Sequence, residues 1–67
     1  MINMKIMKLW IARDQDGTLC LFQIKPFLNI NNDWDSDDNY LVINKNQFPE
    51  VPFENSPKQV EIKLIMK

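Results

Sequence analysis

Two apolar runs joined by a polar turn, over residues 8–24, constrain the fold of this chain more than any other feature. The turn reads Asp14-Gln15-Asp16-Gly17. Its first aspartate can accept hydrogen bonds from nearby backbone N–H groups, and its glycine can take a positive φ without a Cβ clash. This combination is typical of a type I turn closed by a glycine bulge. It predicts an antiparallel β-hairpin with strands at residues 5–13 and 18–24.

Both strands of this hairpin are apolar on both faces. In the first strand, Ile6, Trp10 and Ala12 alternate with Met7, Leu9 and Ile11; in the second, Cys20, Phe22 and Ile24 alternate with Leu19, Leu21 and Gln23. Strands that are apolar on two faces belong in the centre of a sheet. The hairpin therefore needs a cover, which we expect from residues 49–57, from the last strand or from a second subunit.

Two further strands follow from the sequence. One is predicted at residues 40–44, which include the β-branched Val42 and Ile43, and the other runs from residue 58 or 59 to 66, where apolar residues alternate with charged ones. Residues 27–30 read as an irregular extension after Pro26, and residues 31–39 as a polar loop with four aspartates around Trp34. We expect Trp34 either to pack back on the sheet or to serve as an exposed anchor for a partner.

Residues 45–48 read as a turn or one turn of 3₁₀ helix, with Asn44 as its cap. Three of the four prolines lie in residues 49–57, which argues against a regular strand or helix there, and Val51 and Phe53 are expected to anchor this segment on the core. At 67 residues the chain is one small domain. We predict an all-β or mostly-β fold, a small antiparallel meander of three to four strands with a short 3₁₀ turn.

The composition argues against several classes of function. Histidine is absent and Cys20 is the only cysteine, so the commonest general base, the usual transition-metal ligand and any intrachain disulfide are missing. The acidic run at residues 33–39 lacks the glycine and glutamate of a calcium-binding EF-hand loop, so a solvated connection is the simpler interpretation. Glu50 and Glu54 have no predicted pocket that would separate their pKa values. We expect no enzymatic activity, no cofactor and no metal.

The charge of the chain argues against nucleic acid as a partner, and its hydropathy argues against a membrane location. The net charge is −1 and the eight basic residues are scattered, which disfavours binding to nucleic acid. No apolar run approaches the length of a membrane span, and the first eight residues do not resemble a signal peptide. The expected location is the cytoplasm. Met4 and Met7 leave the start of translation open.

The spacing of three short motifs carries a resemblance. Leu9-Trp10-Ile11-Ala12-Arg13-Asp14 with Asp16-Gly17 is followed by Phe48-Pro49-Glu50-Val51 and by Glu54-Asn55-Ser56-Pro57. This pattern resembles a family of very short uncharacterised proteins of gut bacteria, often encoded in prophage-like or other mobile elements. The resemblance spans most of the chain. It implies no activity, cofactor or partner.

Two hypotheses for function remain. The first is a small protein-interaction module or adaptor, for example an accessory protein of a mobile element. It would bind a protein partner or a second copy of itself through a sheet edge or an aromatic patch. Its candidate interaction residues are Trp10, Phe22, Trp34 and Tyr40. The alternative is a nucleic-acid-associated sheet in which Trp10, Phe22 or Tyr40 stacks on bases, with Lys5, Lys8 and Lys25 nearby.

Overall fold

The fold, obtained as a computed structural model, is described for the backbone of residues 3–66 and for the side chains of residues 6–63. It is mostly β, with 45% of residues in strands, which confirms the predicted fold class. The strands are β1 (Asn3–Arg13), β2 (Leu19–Phe22), β3 (Phe27–Leu28), β4 (Trp34–Asp35), β5 (Tyr40–Ile43) and β6 (Lys58–Met66). One turn of 3₁₀ helix, Phe53–Asn55, precedes β6.

Four antiparallel strands form the main sheet in the order β5-β2-β1-β6, and β3 pairs with β4 in a small second sheet. The predicted hairpin is therefore the centre of the sheet. Its turn is closed by hydrogen bonds from Asp14 N to Thr18 O (2.8 Å) and from Gly17 N to Asp14 O (3.0 Å), with Gly17 at a φ of 98°. β6 returns by a long connection to lie beside β1, which is the strand order of a Greek key.

The two faces of the sheet each carry a thin core. On one face Ile11 and Leu19 pack with Val51, which residues 44–57 bring over the sheet. On the opposite face Ala12, Cys20 and Phe22 are buried beneath Trp34 and beside Trp10. The sheet thus has two covers, a proline-containing segment on the first face and the β3–β4 hairpin on the second, and they meet where Phe53 approaches Trp34. We call the two faces the Val51 face and the Trp34 face.

The predicted polar loop at residues 31–39 is wrong in its centre, because Trp34–Asp35 forms β4. The chain reverses between β3 and β4 through hydrogen bonds that the polar residues supply themselves. Asn29 N donates to Asp33 O (2.9 Å), and the Asn29 side chain accepts from Asn31 N (2.9 Å). Asn32 takes a positive φ of 62°, which asparagine tolerates well. Residues 27–35 therefore form a short hairpin although the turn between its strands is polar in composition.

For residues 45–48 the first of the two predicted alternatives, a turn, is confirmed. Residues 45–48 make a simple turn, closed from Gln47 N to Asn44 O (3.0 Å), and the 3₁₀ turn lies at Phe53–Asn55. The prediction gave too much weight to prolines as breakers, because Pro52 precedes the turn as its N-cap residue and does not interrupt it. The predicted strand bounds shift by up to two residues: β1 begins at Asn3, β2 ends at Phe22 and β5 ends at Ile43.

Arg13, the only arginine, connects the sheet to residues 44–57. Its guanidinium donates to five backbone carbonyl oxygens, at distances of 2.8 to 3.1 Å, on Gly17, Lys45, Gln47, Phe48 and Val51. A guanidinium has five N–H donors in a fixed planar arrangement. All five are used here: one bonds the hairpin turn at Gly17, and four bond residues 45–51, which belong to no strand.

Replacing Arg13 should destabilise the fold strongly. We expect Arg13→Met to lower the free energy of unfolding by at least about 2 kcal/mol, because five carbonyls, two of them in part-buried hydrogen bonds, lose a charged donor at once. Arg13→Lys should recover only part of this loss, since an ammonium has three donors and no planar fork. Urea unfolding followed by tryptophan fluorescence measures the effect. The control Lys63→Met changes an exposed cation on β6; a lysine variant at position 13 as stable as the parent would contradict the prediction.

Candidate interaction surface

The edge of β1 beyond the end of β2 offers unpaired backbone groups. Asp14 N donates toward β2, whereas Arg13 N donates to Ser56 Oγ (2.9 Å) on the β6 side. Successive residues of a strand point their backbone N–H and C=O groups to opposite edges. The backbone groups of the even-numbered residues of β1 therefore point toward β2. The β1–β2 pairing stops at Trp10, opposite Phe22. Within residues 3–66, therefore, the N–H and C=O groups of Lys8 and Ile6 face no paired strand.

A shallow apolar recess of about 260 Å³ lies next to this open edge. Its apolar lining comes mainly from side chains of the Val51 face, Met7, Leu9, Leu21 and Leu41, and its rim includes Gln23 and Asn39. Leu41 is 62% exposed and Met7 36%. The recess exists because residues 44–57 cover this face only over Ile11 and Leu19, near the hairpin turn.

Three of the sequence-predicted residues, Trp10, Phe22 and Tyr40, lie side by side across β1, β2 and β5. The Phe22 and Tyr40 ring centroids are 5.4 Å apart, and Lys25 Nζ lies 5.5 Å from the Trp10 ring. Phe22, however, is only 1% exposed. It belongs to the core, so its proposed role as a surface contact or a base-stacking platform is corrected. Tyr40 is 55% exposed and Trp10 is half-buried.

Trp34, the fourth predicted residue, packs back on the sheet. It is half-buried against Ala12, Cys20 and Phe22, and its ring centroid lies 6.3 Å from that of Phe53. Its indole N–H is buried without a hydrogen-bond acceptor among the described residues. The side chain therefore contributes apolar contact area, which fits the first of the two sequence-based alternatives for this residue.

The residues that line the recess were not predicted as interaction residues from the sequence. Met7, Leu9, Leu21 and Leu41 were assigned to strands and not to a surface, because the extent of the cover on their face was unknown. The available signal was the apolar pattern on both faces of the hairpin. A chain of this length has few residues with which to cover both.

An acidic cavity of about 230 Å³ lies on the Trp34 face, between the hairpin turn and β4. Asp14, Asp33 and Asp35 line it together with Asn29 and Cys20. Asp14 Oδ1 accepts a hydrogen bond from Trp34 N (2.8 Å), which ties the β3–β4 hairpin to the sheet. In the part of the chain that the structure describes, no three of these or any other metal-ligating side chains are placed so that they could hold one metal ion together.

Burial raises the pKa of the Asp14 carboxyl above its ordinary value, and the hydrogen bond from Trp34 N only partly opposes this rise. The carboxylates of Asp33, Asp16 and Asp35 raise it further. Near the same cavity, burial followed by the charges of Asp14 and Asp16 raises the pKa of the Cys20 thiol. Cys20 is 6% exposed and is a free thiol. It stays protonated at neutral pH, which suits a core residue and not a nucleophile.

No protein-family model, no curated protein and no solved structure matches this chain. The resemblance to short proteins of gut bacteria therefore stays a prediction. Among the described residues the fold contains no helix of the length and hydropathy that a membrane crossing requires.

We expect Asp14→Asn to be at least as stable as the parent at pH 7. The asparagine oxygen still accepts from Trp34 N, and the repulsion from the neighbouring carboxylates disappears. In the parent, the raised pKa means that the protonated carboxyl favours the folded state. This contribution is fully present below the unfolded-state pKa, about 4, and is lost as the pH rises through the higher folded-state pKa.

The difference in unfolding midpoint between Asp14→Asn and the parent should therefore favour the variant at pH 7 and shrink toward acid pH. Urea unfolding at a series of pH values measures it. Asp14→Ala, which lacks the acceptor for Trp34 N, should be less stable than both proteins at neutral pH. Equal losses in the Asn and Ala variants at pH 7 would show that the charge, and not the acceptor, is what matters.

Proposed function

We propose that this protein is a non-enzymatic protein-interaction module that takes up an extended segment of a partner protein along the open edge of β1. The observation that carries the proposal is the coincidence of unpaired backbone groups at Ile6 and Lys8 with the apolar recess beside them. An extended segment added to a sheet edge gains main-chain hydrogen bonds from the edge and specificity from pockets for alternate side chains.

The two faces of the edge define the chemistry of the segment. Side chains of the segment on the Val51 face would enter the recess and contact Met7 and Leu9, so aliphatic residues are favoured there. Side chains on the Trp34 face would lie beside Ile6 and Lys8, where Lys8 favours an acidic or polar residue. The fitting partner is thus a short extended segment that alternates aliphatic with polar or acidic residues.

The setting of this interaction rests on the sequence alone. We place it in the cytoplasm, where a protein with one thiol stays reduced. The resemblance to proteins of mobile elements suggests an accessory protein whose partner belongs to the host cell. The alternative of nucleic-acid binding has less support, because Phe22 is buried and the net charge is −1.

A random-peptide display library, panned against the whole protein, tests the proposal. We expect enriched peptides with alternating aliphatic residues. Met7→Lys should raise the Kd of a selected peptide at least about tenfold, because burial of a methionine side chain contributes about 1.5 kcal/mol or more. N-methylation of the peptide should abolish binding only at alternate residues, those whose N–H groups face β1.

The matched control is Ile30→Lys, the same kind of change at a residue that is 96% exposed and lies outside the recess. It should leave the Kd unchanged. Panning without enrichment, or an equal loss of affinity in the Ile30 and Met7 variants, would contradict the proposal. A labelled oligonucleotide at low salt serves as a probe for the nucleic-acid alternative, and binding that weakens steeply with salt would favour it.

A further inference from the structure

The outer edge of β5 is exposed and apolar. Tyr40, Leu41 and Val42 are 55%, 62% and 60% exposed, and the strand contains no charged residue. Proteins commonly protect edge strands with charged side chains, prolines or bulges, and an apolar edge without them is prone to pair with another chain. In the part of the chain that the structure describes, no strand pairs with this edge.

The register of the sheet shows which backbone groups this edge presents. Cys20 and Phe22 point their backbone groups toward β1, so Leu19 and Leu21 point theirs toward β5, where they pair with Ile43 and Leu41. The carbonyl of Lys45, the next odd-numbered residue, likewise points inward and accepts from Arg13 (2.8 Å). The outward N–H and C=O groups of β5 are therefore those of Tyr40 and Val42.

Opposite charges flank the two ends of this strand. Asp37 and Asp38 precede it and Lys45 follows it, and all three are exposed. Two copies of the strand in parallel would place like charges together. Two copies in antiparallel orientation place the acidic end of each beside the basic end of the other, so the strand is electrostatically complementary to a second copy of itself in reverse.

We propose that two copies of this chain associate through β5, antiparallel, about a two-fold axis that passes between their Leu41 residues. In this register Tyr40 of each copy lies opposite Val42 of the other, so the outward-facing residues exchange both backbone hydrogen bonds. Asp37 lies in the bend before β5 and Lys45 in the turn after it, so in this dimer the acidic end of each strand lies near the basic end of the other. The interface is self-complementary, as a two-fold axis requires, and the two four-stranded sheets join into one.

The alternatives fit less well. An axis through Val42 would also align outward-facing groups, but it would shift the two strands so that the acidic end of each lies farther from Lys45 of the other. The outer edge of β6 carries charged side chains at Glu61 and Lys63, which is the usual protection of an edge. The dimer requires no partner protein and is independent of the proposed function; it would place the two recesses on the same face of the joined sheet.

Charge reversal tests the interface in the full chain. Sedimentation equilibrium over a series of concentrations up to the millimolar range should show a monomer–dimer equilibrium. Asp37→Lys and Lys45→Asp should each raise the dimer Kd about tenfold at low salt. The double variant should restore the parent value, because each pair is re-formed with exchanged signs. Lys63→Glu changes the net charge as much as Lys45→Asp does and should leave the Kd unchanged.

Single cysteines test the register. Residues opposite each other in a non-hydrogen-bonded pair have Cα atoms about 4.5 Å apart, within reach of a disulfide. Leu41→Cys, oxidised with oxidised glutathione, should therefore yield a covalent dimer, whereas Val42→Cys should not. The parent, whose Cys20 is buried, controls for background.

The proposal is overturned by a monomer at every concentration, by failure of the double charge variant to recover, by a loss in Lys63→Glu equal to that in Lys45→Asp, or by preferential cross-linking through position 42. Circular dichroism of each variant verifies that it is folded, so that a loss of dimer is not mistaken for a loss of fold.

Discussion

The bonding of one guanidinium to five backbone carbonyls holds together a structure that β strands alone would not. Residues 44–57 include three prolines and contribute no strand to either sheet. Their carbonyl groups need donors nonetheless, because an unpaired polar group costs free energy when it is removed from water. Arg13 supplies them at Lys45, Gln47, Phe48 and Val51. The arginine thereby supplies hydrogen-bond donors to the carbonyl groups of this segment, as a neighbouring strand does for the carbonyl groups of β1.

The residue after Arg13 holds the other cover. Arg13 lies opposite Leu19 and so points to the Val51 face, whereas Asp14 follows it and accepts from Trp34 N on the Trp34 face. Two consecutive residues at one end of the hairpin thus attach both covers, one by a cation on carbonyls and the other by a carboxyl group on an N–H. The pKa of Asp14 is raised first by burial and further by the carboxylates of Asp33, Asp16 and Asp35, so the second attachment is partly buried and lies among like charges.

The sequence was informative where a local rule decides the structure. The turn at residues 14–17 follows from one aspartate and one glycine, and the pairing of β1 with β2 follows from it. The central position of the hairpin follows from apolar residues on both faces. The β3–β4 hairpin could not be predicted from the sequence. Its strands have two residues each, and its turn is stabilised by asparagine and aspartate side chains that equally suit a loop.

The roles of single residues depended on contacts that no local pattern shows. Arg13 is an unremarkable surface cation in the sequence, and its five acceptors lie between 4 and 38 positions away along the chain. Phe22 looked like a surface aromatic because the cover that buries it comes from a segment predicted to be a loop. The recess was not predicted because residues 49–57, expected to cover the hairpin, do not extend over Met7 and Leu9. Burial in so thin a fold depends on which segment crosses which half of each face.

The attachment of both covers at the turn end explains why the available surface lies at the opposite end. Beyond Trp10 the long ribbon of β1 and β6 continues without β2, and both covers have ended. A chain of 67 residues cannot bury all of its apolar surface. Part of what stays exposed lies together on the open edge of β1, in the recess beside it and along β5. An apolar surface gathered in one region is one that another chain can cover, and this arrangement is the physical basis of the two proposals, a partner segment on the edge of β1 and a second copy on β5.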